Sequence, residues 1–215
     1  MTANLLVLCA AGMLVTAYLM VGQKALFTTI RLYGFQSVLL AAVAATAAVS
    51  QKHPELFVTA SLTLTLKGWL IPRFLMRVID RVGIHREVEP FLNVPASLLV
   101  CLGLTAVGYR VSSGFPVGGR GVSHHLIGIA LSMLLIGLFL MVTRKKAITQ
   151  ILALLTVENA VFLVVLGVTS GMPLIVELGI SFDVILAVLV LGVLVQRIVG
   201  RFESMDVSRL SKLKG

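Results

Sequence analysis

Hydrophobic positions in this chain do not alternate with polar ones at helical or strand spacing. They gather into long unbroken runs separated by short polar stretches. The runs fall at about Leu5 to Val21, Phe27 to Val49, Leu56 to Val78, Phe91 to Val107, Val122 to Val142, Ile148 to Thr169 and Leu174 to Gln196. Each is long enough to cross roughly 30 Å of hydrocarbon as a helix. Lipid offers no partner to a backbone N–H or C=O, so an apolar run of this length must satisfy its backbone internally. The weak alternation within the runs argues against a β-barrel. The pattern therefore predicts an all-α polytopic membrane protein of about seven transmembrane helices. Near Met1 there is no positively charged segment of the secretory type, so the first run is read as a retained helix.

Composition strengthens this reading. The 215 residues are 58% hydrophobic and 13% charged, with a mean hydropathy of +1.04. Globular domains sit near 45–50% apolar and about 25% charged. A soluble core of this size would not hide so much apolar surface, and disordered chains are poor in apolar residues. The net charge of +9 is read as orientation rather than as nucleic-acid binding. Threading the seven runs through a bilayer puts fourteen of the 18 lysines and arginines on one side. The opposite side receives only Lys52, Arg110 and Arg120. By the positive-inside rule the N-terminus is outside and the tail from Arg197 to Gly215 is cytoplasmic. The basic tail is suited to lie on anionic lipid or to dock on a neighbouring subunit.

The chemistry sits in ionisable residues inside the runs. Lys67 is at the midpoint of the third, Glu158 at the middle of the sixth and Asp183 near the middle of the seventh; Glu177 is a turn from the outer end of the seventh. Each central charge costs about 2.5–3.5 kcal/mol on insertion. Groups of this kind are kept only where they pair, neutralise or face water. The turn Thr169-Ser-Gly-Met-Pro173 joins the sixth and seventh runs as an antiparallel hairpin, which sets Glu158 and Asp183 at similar depth. Burial penalises the charged form of a carboxyl or an amine, so such groups change protonation in response to their neighbours. Lys67, Glu158 and Asp183, with Glu177 at the edge, are the candidate proton-pathway residues. The alternative is that the same charges only pin helices together.

Other polar residues carry less. Arg73 and Arg77 share a helix face and snorkel to the inner surface. His124 and His125 are read as solvated, as are the loop residues His53 and His85. Cys9 and Cys101 are packing residues, and no cysteine or histidine spacing suggests a metal. Gly68, Gly128, Gly137 and Gly167 let helices approach closely. No nucleophile with a base, no phosphate loop and no cofactor motif is present, so no catalytic, cofactor-binding or metal-binding residue is assigned.

Two stretches, Thr156-Val-Glu-Asn-Ala-Val-Phe-Leu and Val176-Glu-Leu-Gly-Ile-Ser-Phe-Asp-Val-Ile-Leu-Ala-Val, resemble hydrogenase-4 component E. So do the tail Met205-Asp-Val-Ser-Arg-Leu-Ser-Lys-Leu-Lys-Gly and the segment Leu66-Lys-Gly-Trp-Leu-Ile-Pro. The second half is also similar to the K subunit of complex I and the C subunit of Mrp antiporters. The resemblance implies a four-helix membrane part over 1–121, a three-helix K-like part over 122–200 and a cytoplasmic basic tail over 201–215. It implies a non-catalytic subunit of the inner (plasma) membrane, without a cofactor of its own. Its partners would be antiporter-like and other membrane subunits of a hydrogenase-like complex, together with lipid, and not nucleic acid. In such a complex a peripheral arm transfers electrons and the membrane subunits carry ions. Glu158 matches the family's intramembrane glutamate, and Asp183 takes the place of the second acidic residue of the K-like hairpin. A stand-alone proton-coupled transporter and a structural scaffold are the alternatives.

Overall fold

The computed structural model describes residues 2–51, 55–82, 92–114 and 121–168, nearly all of them helical. The helices are α1 (Thr2–Gly22), α2 (Leu26–Gln51), α3 (Glu55–Leu62), a π-helical segment (Thr63–Leu70), α4 (Ile71–Val82), α5 (Val94–Ser112), α6 (Gly121–Thr143) and α7 (Ala147–Val168). Asn4–Gly22, Leu26–Ser50, Val94–Ser112, His124–Thr143 and Ile148–Gly167 are long and apolar enough to cross a bilayer. The chain is a multi-pass membrane protein. The seventh apolar run and the basic tail lie outside the described residues, as do Glu177, Asp183, His53 and His85.

Sequence and structure agree on α1, α2, α6 and α7 to within about three residues. The fourth run moves: α5 starts at Val94 and continues to Ser112, five residues past the end read from hydropathy. Asn93 explains the start. Its side chain accepts the Ala96 N–H at 3.1 Å, and Pro95 follows within the first turn, an N-cap with proline where no N–H is needed. At the other end Tyr109, Arg110 and Ser112 carry the helix beyond its most apolar stretch.

The third run is one rod made of three pieces. Pro72 is the cause. It has no N–H, and its ring conflicts with the carbonyl four residues back, that of Gly68. The chain widens ahead of it into the π-helical segment, where the Ile71 N–H bonds the Leu66 carbonyl, five residues back. Gly34 of α2 faces this defect. A Cβ there would lie 3.2 Å from Pro72 Cγ and 3.4 Å from the Gly68 oxygen, so the absent side chain lets α2 close on it. The widening also sets the register. Thr63, Lys67, Ile71 and Leu75 are all buried at four-residue spacing. In an α-helix each such step overshoots a full turn by about 40°, and wider π turns reduce that drift. Beyond the segment, Arg73, Arg77 and Asp80 are exposed while Leu75, Val78 and Ile79 are buried. Arg73 lies over the ring of the exposed Trp69, 5.4 Å from its centroid.

α6 lies at the centre of the described helices, packed on α7, α5 and α1, and α2 packs on α1, the π-helical segment and α7. Close approach again needs glycine: a Cβ on Gly137 of α6 would meet Val157 Cγ2 of α7 at 2.6 Å. Serine and threonine hydroxyls inside the spans bond carbonyls of their own helices, as Thr143 does to Phe139 and Ser37 to Tyr33. This is how a hydroxyl is satisfied where water is scarce.

Candidate functional site

Lys67 and Glu158 meet. Lys67 Nζ lies 2.9 Å from Glu158 Oε1, and both side chains are almost fully buried, at 3% and 4% exposure. Lys67 is twelve residues beyond the start of its rod at Glu55, and Glu158 eleven beyond the start of α7 at Ala147. At 1.5 Å per residue these are rises of about 18 and 17 Å, near the middle of a 30 Å layer. The two charges offset one another's desolvation. That compensation holds only while both are present, because either one alone would be a buried uncompensated ion.

The pair does not stand by itself. Lys67 Nζ also donates to Asn159 Oδ1 at 3.4 Å. Asn159 Nδ2 donates to Gln36 Oε1 at 3.2 Å and to Ser37 Oγ at 3.4 Å. Gln36 Nε2 donates to Thr16 Oγ1 and to the Met13 carbonyl, each at 3.2 Å, and Thr16 donates to the same carbonyl at 2.6 Å. The chain of contacts thus crosses from the π-helical segment through α7 and α2 to α1. Every side chain in it is buried. The local sequence explains the convergence. Glu158 and Asn159 are adjacent on α7 and point to neighbouring directions about 100° apart. One angular sector can therefore hold a carboxylate for Lys67 and an amide that reaches on to α2.

Chemically, this is a buried ion pair held in a hydrogen-bonded frame. Adding a proton to the carboxylate, or removing one from the ammonium, leaves one uncompensated charge in a low-dielectric interior and loosens the pair. The amides of Asn159 and Gln36 both donate and accept, so they hold geometry in either state.

Of the four residues singled out from sequence, the structure brings Lys67 and Glu158 together; Asp183 and Glu177 lie outside the described residues. Gln36, Ser37, Asn159 and Thr16 were missed. Their signal was available, since an uncharged amide in an apolar run also needs a partner. Arg144 was read only as one of fourteen inner cations. It is buried at the end of α6, and its Nη2 donates to the carbonyls of Val21 at 2.6 Å and Met20 at 3.3 Å. Those carbonyls close α1, where helical backbone partners run out. His124 Nδ1 lies 3.3 Å from the Ser112 carbonyl. Among the described residues no three histidine, cysteine, aspartate or glutamate side chains gather as metal ligands.

No family model matches the chain. It is 31% identical over 206 residues to the uncharacterized protein Rv0085 of Mycobacterium tuberculosis, covering 95% of this chain and 94% of that one. It is 28% identical over 218 residues to the Hydrogenase-4 component E proteins of Escherichia coli and of Shigella flexneri, with all of both chains covered. No solved structure matches.

Proposed function

We propose, from full-length similarity to the Hydrogenase-4 component E proteins, that the chain is a non-catalytic membrane subunit of a hydrogenase-4-type complex that moves protons as electrons flow through a peripheral arm. It spans the inner membrane seven times, N-terminus outside, beside antiporter-like subunits. The observation that carries this reading is the buried Lys67–Glu158 pair midway along two helices. An intramembrane ionisable group at such depth is a functional residue by default, and this one is wired by side-chain amides to two further helices. Asp183 and Glu177, which lie outside the described residues, are the further candidates for the same path. The 1–121 and 122–200 parts contribute jointly, since Lys67 belongs to the first and Glu158 to the second.

The test is a pair of substitutions in the intact complex, in membrane vesicles, with electron transfer and proton movement measured together. Glu158→Gln keeps the shape and removes the titrating group; Lys67→Met removes the ammonium. Each is expected to leave the complex assembled and to abolish redox-driven proton movement. Undiminished proton movement in both variants would overturn the reading and leave the pair as a helix clasp. Purification as an isolated protein that carries a solute in liposomes would instead support a stand-alone transporter.

A further inference from the structure

The rod that carries Lys67 has a second face. The four-residue register that buries Thr63, Lys67, Ile71 and Leu75 leaves Phe57, Ser61, Thr65, Trp69, Arg73 and Arg77 exposed, also at four-residue steps. The half of this face toward Glu55 offers only apolar surface. Phe57, Val58 and Leu64 are exposed there. The Ser61 and Thr65 hydroxyls donate to carbonyls of their own rod, those of Phe57 and Ser61, each at 2.8 Å. The half toward Val82 carries Arg73 and Arg77. Among the described residues neither arginine meets a carboxylate, and Arg73 is held over the Trp69 ring at the junction of the two halves.

α2 adds a third cation. Its Gly34 seats on Pro72, and its Val38 on Gly68, where a Cβ would lie 3.5 Å from Val38 Cγ2. Rising positions on α2 thus meet falling ones on the rod, so the two run antiparallel. Arg31 is exposed. It stands three residues before Gly34, level with the stretch between Arg73 and Arg77. It also stands seven residues before Val38, within about 20° of the same helix face, and so on the side of α2 that flanks the rod. The three arginines therefore converge on one seam. Measured from Lys67 near mid-layer, Arg73 and Arg77 lie about 9 and 15 Å along the axis. The hydrocarbon extends about 15 Å to each side of its centre, so the seam opens where headgroups begin. Asp80, exposed three residues past Arg77, lies farther toward water. Three guanidinium groups less one carboxylate leave the seam with a net positive charge of two.

We propose that this seam is a binding site for one anionic phospholipid, its phosphate held by Arg31, Arg73 and Arg77 and an acyl chain lying along the apolar half of the rod. The two halves select the occupant together. A docked polypeptide would find hydroxyls already engaged with their own rod, whereas a hydrocarbon chain needs no polar partner. Guanidinium groups suit a phosphate, which they bind through paired N–H donors, and a basic pocket between transmembrane helices at headgroup level attracts an anionic lipid by its charge. The rod rests chiefly on α2. A phosphate shared by Arg31 and the two α4 arginines ties rod and α2 together on the face away from Lys67. The site is independent of whether the Lys67–Glu158 pair moves protons.

Trp69 is the single tryptophan of the chain, so its fluorescence reads this site alone. The full chain, in phosphatidylcholine bilayers, is titrated with phosphatidylglycerol or phosphatidylcholine brominated on the acyl chains, and quenching of Trp69 is recorded. Phosphatidylglycerol is expected to occupy the site with roughly 25-fold preference, about fivefold for each net charge. Arg73→Gln with Arg77→Gln is expected to bring the two lipids to near parity, whereas Arg73→Lys with Arg77→Lys keeps most of the preference. Equal quenching by both lipids in the unaltered chain, or an undiminished preference in the double glutamine variant, would overturn the site. So would displacement of the lipid by inorganic phosphate, which would mark a site for soluble anions. In the assembled complex, a photoreactive benzoylphenylalanine in place of Phe57 is expected to capture lipid. Capture of another polypeptide, or of another segment of this chain, would put protein on the face and overturn the proposal.

Discussion

Lys67 and Arg144 are both buried cations, and they solve the same problem at different depths. Arg144 lies at a helix end, where the last carbonyls of α1 are short of backbone donors and the Met20 carbonyl has only the Gln23 N–H at 3.4 Å. A planar guanidinium can serve two of them, and the partial negative charge of the α1 C-terminus offsets its own. Lys67 lies in mid-helix, where backbone carbonyls are largely occupied, and it draws on a carboxylate and an amide from another helix. Depth thus decides the kind of partner. A cation at the rim is held by backbone that any sequence supplies; a cation at the centre needs a counter-charge encoded separately on another helix.

Breaking the central pair one residue at a time gives the largest expected effect. Lys67→Met or Glu158→Gln alone strips the other charge of its compensation, at about 3–5 kcal/mol for a charge left fully ionised, and less where that group neutralises. The double variant is expected to recover most of the loss, as read by thermal unfolding in detergent; a double variant as unstable as the sum of the two would refute the coupling. Removing the rim cation should cost less. Arg144→Leu forfeits one short and one longer charge-assisted bond, while the Met20 carbonyl keeps the Gln23 N–H at 3.4 Å, about 2–3 kcal/mol. Arg144→Lys should restore only part, because an ammonium lacks the planar fork. Equal costs for Arg144→Leu and Lys67→Met would erase the distinction by depth. The smallest effect belongs to Asn159→Leu, which leaves the ion pair and cuts its link to Gln36, about 1–2 kcal/mol. A larger loss there than in the single charge variants would mean that the amides, not the charges, hold the centre.

Most of the helical layout was legible in the sequence because hydropathy responds to the one property lipid enforces. Lys67 and Glu158 were legible for the same reason, as a charge in an apolar run stands out by its cost. What the pattern hid is geometric. Nothing in hydropathy shows that Pro72 widens the helix ahead of it, nor that this widening keeps Thr63, Lys67 and Ile71 on one buried face. Gln36 and Asn159 are polar without charge, and they passed as ordinary residues until the fold set them side by side. Arg144 stands in an Arg-Lys-Lys run, and counting charges is blind to which member folds back under a helix end.

Glu158 follows Lys67 by 91 residues in the chain. Ribosomes add about 5–20 residues per second, so on the order of 5–20 s separate the synthesis of the lysine from that of its carboxylate. Biogenesis therefore has an order built into it. The helix bearing Lys67 reaches the insertion machinery with a cost of about 2.5–3.5 kcal/mol outstanding, and its settled seat in lipid waits on a segment the ribosome has yet to make.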